Sequence, residues 1–296
     1  MASAMEAISS SVRAMIAAPP GKKLVVADLA NIEGRVLAWL AGEEWKLQAF
    51  RDYDAGTGPD LYKLAYSRAF DAPLDKVTKD DRQVGKVMEL ALGFQGGHGA
   101  FSTMAAAYGV VLSDAAVSAC VSGWREAHPN VRKLWYGAEK AAIKAIENEG
   151  TSYEVRGLRF RCGAFNAYRW LTMRLPSGRA LAYYNPQITD DGKVTYTGQI
   201  IGGTWGLNYT YGGKFVENAV QGLARDVLMH GAQTTAQAGT GYDIVLTVHD
   251  EIVCETPVRP EFNVQTLCGY LTTPPPWSKG LPLAAAGYEA YAYRKD

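Results

Sequence analysis

The sequence lacks the usual cysteine framework of a zinc site. Its four cysteines, Cys120, Cys162, Cys254 and Cys268, include no Cys-x-x-Cys pair. They read as reduced thiols, which predicts a cytoplasmic protein. No apolar run is long enough to span a bilayer, so no membrane partner is expected. Met1 to Ala18 lack a cationic start followed by an apolar core, so they do not read as a secretory signal. Neither sign of charge is in excess, with 30 Lys and Arg against 30 Asp and Glu. A nucleic-acid footprint, if there is one, must therefore be local. No internal repeat is visible. What the 296 residues do have is apolar material, 48% of the chain. That is enough for a globular protein of one large or two modest domains.

The most informative stretch is Leu246-Thr247-Val248-His249-Asp250-Glu251-Ile252-Val253-Cys254. Branched and apolar residues flank a polar step, the pattern of two strands meeting at a tight turn. The turn sets Asp250 at a hairpin tip, and Glu251 starts the returning strand. Carboxylates pressed together repel unless a cation sits between them. A solvated hairpin tip is the ordinary reading of an isolated Asp-Glu pair. A second stretch weighs against it: Leu24-Val25-Val26-Ala27-Asp28-Leu29 is another buried-type strand that ends in a carboxylate. Two hard carboxylates on distant strand ends suit Mg²⁺, which takes oxygen ligands together with substrate phosphates.

In chain order, residues 1–20 are small and Ala-rich, a leader or linker with a short helix possible over Ser9 to Ala17. After the strand to Asp28, a helix is expected from about Asn31 to Ala41, with Asn31 as cap and Gly42 as stop. Glu33 and Arg35 lie off its apolar stripe and read as solvated charges. Residues 43–150 are mostly helical. The informative helix runs from Lys79 to Phe94, opened by a capping box of Thr78 and Asp81. Along one side Arg82, Lys86, Leu90 and Phe94 recur every fourth residue, drifting about 40° per step. Two cations, an aliphatic and an aromatic fit a triphosphate tail and a base. An ordinary amphipathic helix with a basic face fits the spacing as well. Further helices over 117–149 break at His128-Pro129-Asn130. From Thr151 the texture becomes short β-type runs, with a turn at Asp190-Asp191-Gly192-Lys193. Helix returns from Lys214 to Ala238, and the tail from Tyr288 to Lys295 reads as an edge strand.

In this order the pieces resemble the polymerase region of family A DNA polymerases, the DNA polymerase I group, and especially its bacteriophage members. Asp28-Leu29-Ala30-Asn31-Ile32-Glu33-Gly34-Arg35 is similar to that family's first motif, Asp-Tyr-Ser-x-Ile-Glu-x-Arg. Arg82-x-x-x-Lys86, with Phe94-Gln95-Gly96 further on, resembles the second. Gln221-Gly222-x-Ala224 and His249-Asp250-Glu251 resemble the last two. The resemblance covers nearly all of the chain beyond residue 20. It implies an α+β fold, a polymerase palm of antiparallel sheet and helices with a helical fingers insertion. Residues 1–44 would be leader and first palm segment, 45–149 mobile fingers, and 150–296 the second palm segment, the two flanking segments forming the palm sheet.

The same resemblance implies template-directed transfer of nucleotides from deoxynucleoside triphosphates onto a primer end. Asp28, Asp250 and the backbone of Leu29 would hold two Mg²⁺ ions, with Glu251 an accessory carboxylate. Arg82 and Lys86 would hold the triphosphate, and Lys86 is also a candidate proton donor to pyrophosphate. Leu90 and Phe94 would flank the nucleotide, and Glu33 would exclude a 2′-hydroxyl. Arg35, Gln221 and His249 would touch primer–template DNA. The location would be a host cytoplasm if the protein is phage-encoded. Three departures stand out: Leu29 and Phe94 replace tyrosines, and Leu90 replaces Phe or Tyr. A family member also carries a thumb, and often an exonuclease, ahead of the first motif, so a separate polypeptide carrying them is an expected partner. Two rival readings are a single-subunit phage-type RNA polymerase and a non-catalytic remnant that binds primer–template. Glu33 and Glu251 favour the DNA enzyme over the first. The intact carboxylates, Arg82 and Lys86 speak against the second.

Overall fold

The computed structural model describes residues 11–200, 202–237, 239 and 241–294. The expected leader therefore lies in part outside the described residues, as does the start of its short helix; residues 11–14 are helical. The chain divides into two compact units, the described residues up to Ile32 with those from Ala224 onward, and Glu33–Leu223.

The first unit is built on an antiparallel sheet of β1 (Lys22–Leu29), β8 (Asp243–Val248), β9 (Glu251–Pro257) and β10 (Ala285–Ala290), in the order β10-β1-β9-β8. Leu24, Val25, Val26 and Ala27 are all buried, as a central strand covered on both faces requires. Leu24, Val26, Val253 and Tyr293 form one core cluster. The final helix, Val264–Leu271, packs on β1 and β10. The edge strand expected over 288–295 lies earlier in the chain: β10 runs Ala285–Ala290, and past it an isolated bridge joins Ala292 to Ala17.

The second unit combines helices with a separate sheet. Its helices are α1 (Ile32–Ala41, entered from Ile32 of the first unit), α2 (Glu44–Asp54), α3 (Leu61–Phe70), α4 (Lys79–Leu92), α5 (His98–Ala107), α6 (Asp114–Ala127) and α7 (Pro129–Glu147). Polar signals set the ends. Asp60 accepts the N–H groups of Tyr62 and Lys63 at the start of α3, and Thr78 with Asp81 forms the capping box of α4. Gly42 ends α1 at φ 70°, a left-handed position glycine adopts freely. Gly85, inside α4, lets the backbone of α3 approach: a Cβ there would sit 2.1 Å from the Tyr62 carbonyl. α8 (Gly212–Gln237) carries the chain on to Ala224 and the first unit.

One expectation is corrected here and one is narrowed. The row of four on α4 loses its last member, because the helix ends at Leu92 and Phe94 lies in the turn beyond it. The two flanking segments meet in one sheet, β1 pairing with β9 and β10, but not all strands of the second segment join it. Residues 152–210 pair only with each other, as β2 (Ser152–Val155), β3 (Leu158–Phe165), β4 (Tyr168–Arg174), β5 (Ala180–Ile188), β6 (Val194–Gln199) and β7 (Trp205–Thr210). Short antiparallel hairpins close locally, so this meander satisfies its own ladder and groups with the helices of residues 33–223.

Candidate active-site residues

The acidic turn is assembled by strand pairing. β1 runs out of the core into Asp28, which lies opposite Glu251 of β9 in the register. The next amide, of Leu29, donates to the Asp250 carbonyl at 3.0 Å. The first motif and the last, more than two hundred residues apart in sequence, are thus adjacent in the backbone. β8 and β9 are joined by the two residues His249 and Asp250. His249 adopts φ 51°, a conformation that costs a non-glycine residue free energy. Arg225, on α8, reaches the His249 carbonyl at 3.5 Å and the Thr247 hydroxyl at 3.3 Å, bracing the turn.

Asp28, Asp250, Glu251 and His249 line one cavity of about 450 Å³ in the first unit, together with Arg13 and Tyr293. Sequence reasoning missed the last two. The Tyr293 hydroxyl donates to Glu251 Oε1 at 2.5 Å. Burial first, then that hydrogen bond, push the phenol up to about 12. Tyr293 is set by its own amide, which donates to the Ile16 carbonyl at 2.8 Å, and Arg13 lies 5.8 Å from its ring centroid. The tail's alternation of Tyr with small residues was the only available signal. Cys268 is a further neighbour: burial, then the charge of Asp28, raises its thiol above the ordinary range.

Among the described residues no group of three His, Cys, Asp or Glu is arranged to hold a metal. Hard carboxylates in one cavity fit Mg²⁺, which commonly binds one or two carboxylates and completes its shell with water and phosphate oxygens.

The basic helix belongs to the second unit. Arg82, Lys86 and Leu90 follow one another along α4, and Leu90 is 44% exposed. Arg82 donates from Nε and Nη2 to Asp60 Oδ2 at 3.0 and 2.9 Å, its guanidinium 5.2 Å from the Tyr62 ring centroid. Burial works against the Asp60 charge, but the Lys63 and Tyr62 amides and Arg82 hold its carboxyl below the ordinary range. Lys86 Nζ lies 4.8 Å from the Tyr108 ring centroid. The opposite side of α4 buries Val84, Val87 and Met88, whereas Glu89, about two turns on from Arg82, is half-buried on the Arg82 side of the helix. Glu89 pairs closely with Lys46 and accepts from Trp124 Nε1 at 3.0 Å. Phe94, half-buried, follows the helix.

Of the remaining expected residues, Glu33 and Gln221 are exposed on α1 and α8. Arg35 is a correction. It is 1% exposed and donates to both oxygens of Asp54 at 2.6 and 2.7 Å, 4.6 Å from the Phe50 ring centroid. A buried cation needs such a partner, and the planar guanidinium matches a carboxylate in two places. Arg35 is therefore buried and paired within the second unit, and is not a solvated charge.

Known proteins resemble this chain along its length. The family model for DNA polymerase family A matches residues 3–154. The DNA polymerase of Bacillus phage SP02 is 39% identical over 98% of this chain and 44% of its own length. The DNA polymerase of Mycobacterium phage D29 is 27% identical over 84% of this chain and 31% of its own. The chain thus spans less than half the length of these relatives. Among solved structures, the POL domain of Pol1 from M. smegmatis, in complex with DNA primer-template and dNTP, matches 95% of this chain and 42% of its own. Its TM-score is 0.58 at 18% identity, a likeness of fold. With the family model covering more than half of the sequence, and the Asp28 and Asp250 strand ends side by side, the chain belongs to DNA polymerase family A.

Proposed function

We propose that this chain carries the catalytic residues for template-directed DNA synthesis, joining deoxynucleoside triphosphates to a primer end. The observation that carries the proposal is the convergence of Asp28 and Asp250 at one backbone junction, closed by the 3.0 Å bond from Leu29 to Asp250. Those two carboxylates, with the Leu29 carbonyl, would hold Mg²⁺. Bound Mg²⁺ supplies two things: a lower pKa for the primer hydroxyl and neutralisation of the phosphates. Glu251 is the accessory carboxylate, fixed by Tyr293.

Arg82 and Lys86 would bind the triphosphate. Asp60 holds Arg82 until then, so the incoming anion exchanges one charge-assisted partner for another. Lys86 is the candidate donor of a proton to the leaving pyrophosphate. Leu90 and Phe94 would border the nucleotide, and Glu33 would lie beneath its sugar, where a 2′-hydroxyl clashes. Gln221 and His249 would contact primer–template DNA. A separate polypeptide supplying a thumb, and an exonuclease with it, is the partner this reading calls for.

Primer extension with and without Mg²⁺ tests the proposal. The expected result is Mg²⁺-dependent extension that Asp28→Ala or Asp250→Ala lowers by about a thousand-fold or more, with unchanged circular dichroism. Near wild-type turnover in either variant would sink the assignment.

A further inference from the structure

The six-stranded sheet has one covered face and one open face. Phe160, Leu171, Met173 and Tyr183 are buried on the covered side, where α7 packs and the rings of Phe160 and Tyr183 meet Phe215. Strand register assigns the opposite side. Phe165 lies across from Tyr168, Trp170 from Tyr184, Tyr184 from Thr197, and Thr197 from Leu207. Trp205 and Tyr209 are on that side too, two residues either way from Leu207. The rings form a continuous band. Tyr168 and Tyr184 centroids are 5.7 Å apart, Trp170 and Tyr184 5.0 Å, and Tyr184 and Trp205 6.4 Å. Yet Tyr168 is 56% and Trp205 68% exposed.

The other end of this open face is basic. Arg159 lies opposite Arg174, and Arg161 opposite Thr172. Glu154, the carboxylate in the same register, is paired with Arg159 at 3.3 Å. Arg161 and Arg174 are anchored by Nε on the Gly150 and Gly178 carbonyls, at 3.2 and 3.1 Å. A cavity of about 440 Å³ joins the two ends, lined by Glu149, Arg161, Phe165, Trp170 and Thr172. Glu149 is itself ion-paired to Arg169.

We infer that this open face binds single-stranded DNA, with bases on the aromatic band and phosphates on Arg161 and Arg174. Contiguous exposed apolar surface marks an interaction site, and its chemistry selects the occupant. Arg161 and Arg174 border the rings, while the neighbouring carboxylates Glu149 and Glu154 are paired to Arg169 and Arg159, so the occupant this face complements is anionic. Aromatic faces with flanking guanidinium groups suit nucleobases and phosphates, and every base offers a stacking surface. A duplex keeps those surfaces inside its own stack, so the strand must be unpaired. The inference rests on the polymerase reading only in taking DNA as the nucleic acid.

The test is fluorescence anisotropy of a labelled oligo-dT with the full chain. Trp205→Ala and Tyr168→Ala are each expected to weaken binding about ten-fold, while Trp205→Phe, which keeps a ring, retains most of it. The double variant Arg161→Ala/Arg174→Ala is expected to reduce the salt dependence by about 1.4 in log–log slope. Extension of a primer with a single-nucleotide template overhang is expected to be unchanged in all four. Unaltered oligo-dT binding in the two alanine variants at the rings would overturn the inference. So would light scattering showing that the face closes a dimer which those variants dissociate. A chain that binds oligo-dT through Trp205 but extends no primer would leave this face standing and remove the polymerase reading.

Discussion

Leu90 shows how much one side chain decides. The spacing left two readings, a nucleotide-facing row and an ordinary amphipathic helix with a basic face. At 44% exposure it is not core. In the family this sequence resembles, the corresponding residue is Phe or Tyr, and a Tyr hydroxyl can stand in for a missing 3′-hydroxyl in bonding a phosphate. Leu90 has no donor, so strong discrimination against dideoxynucleotides is expected. Leu90→Tyr should relax it by about ten- to a hundred-fold, the equivalent of roughly 1.5–3 kcal/mol for a hydrogen bond to a charged acceptor. The ratio of specificity constants for deoxy and dideoxy substrates measures it; an equal ratio in both proteins would remove Leu90 from the nucleotide site. Arg35 is the opposite case, since its buried pairing with Asp54 depends on a neighbour nineteen residues away.

The elements that hold the site depend on polar contacts between distant segments. Tyr293 lies beyond β10, yet it fixes Glu251 on β9. Tyr293→Phe keeps the ring and loses a bond to a carboxylate, so unfolding stability is expected to fall by about 1.5–3 kcal/mol. An unchanged urea midpoint would show that the bond contributes nothing. Behind α4, His128 is 1% exposed, with Nδ1 2.8 Å from the Trp124 carbonyl and Nε2 3.2 Å from Lys46 Nζ. That geometry needs a neutral ring, donating to the carbonyl and accepting from the ammonium. Burial, then the charge of Lys46, hold its pKa down to about 3. The unfolded chain takes up this proton near pH 6.5 and the folded chain only near 3, so between those values the unfolded state binds more protons. Stability conferred by this site is therefore complete above pH 6.5 and is lost as pH falls toward 3, at up to about 1.4 kcal/mol per pH unit. Thermal unfolding from pH 7 to 4 should show the fall, and His128→Gln should flatten it. Equal slopes in both proteins would exclude His128 as the source.

Under the proposed function, net charge across the whole chain would govern how tightly duplex DNA is held. Thirty basic and thirty acidic residues give no net attraction for a phosphate backbone, whereas duplex affinity rises with each phosphate neutralised. Distributive synthesis is therefore expected: against a trap of unlabelled DNA, this chain should add few nucleotides per binding event. Long products under trap would contradict it. Much of the molecule was legible in the sequence because the signals are local. Apolar runs ending in Asp28 and Asp250 set the strands, Thr78 and Asp81 the start of α4, and Pro129 the start of α7. The ordered motifs were also enough to give the family. Strand pairing, by contrast, depends on which segments meet after the chain has closed loops of many residues, and no local pattern encodes that. Only the tertiary structure put Asp28 opposite Glu251, brought Tyr293 onto that carboxylate and buried Arg35 against Asp54. It also separated residues 152–210 into their own sheet, because adjacent hairpins satisfy their backbone hydrogen bonds most directly with each other.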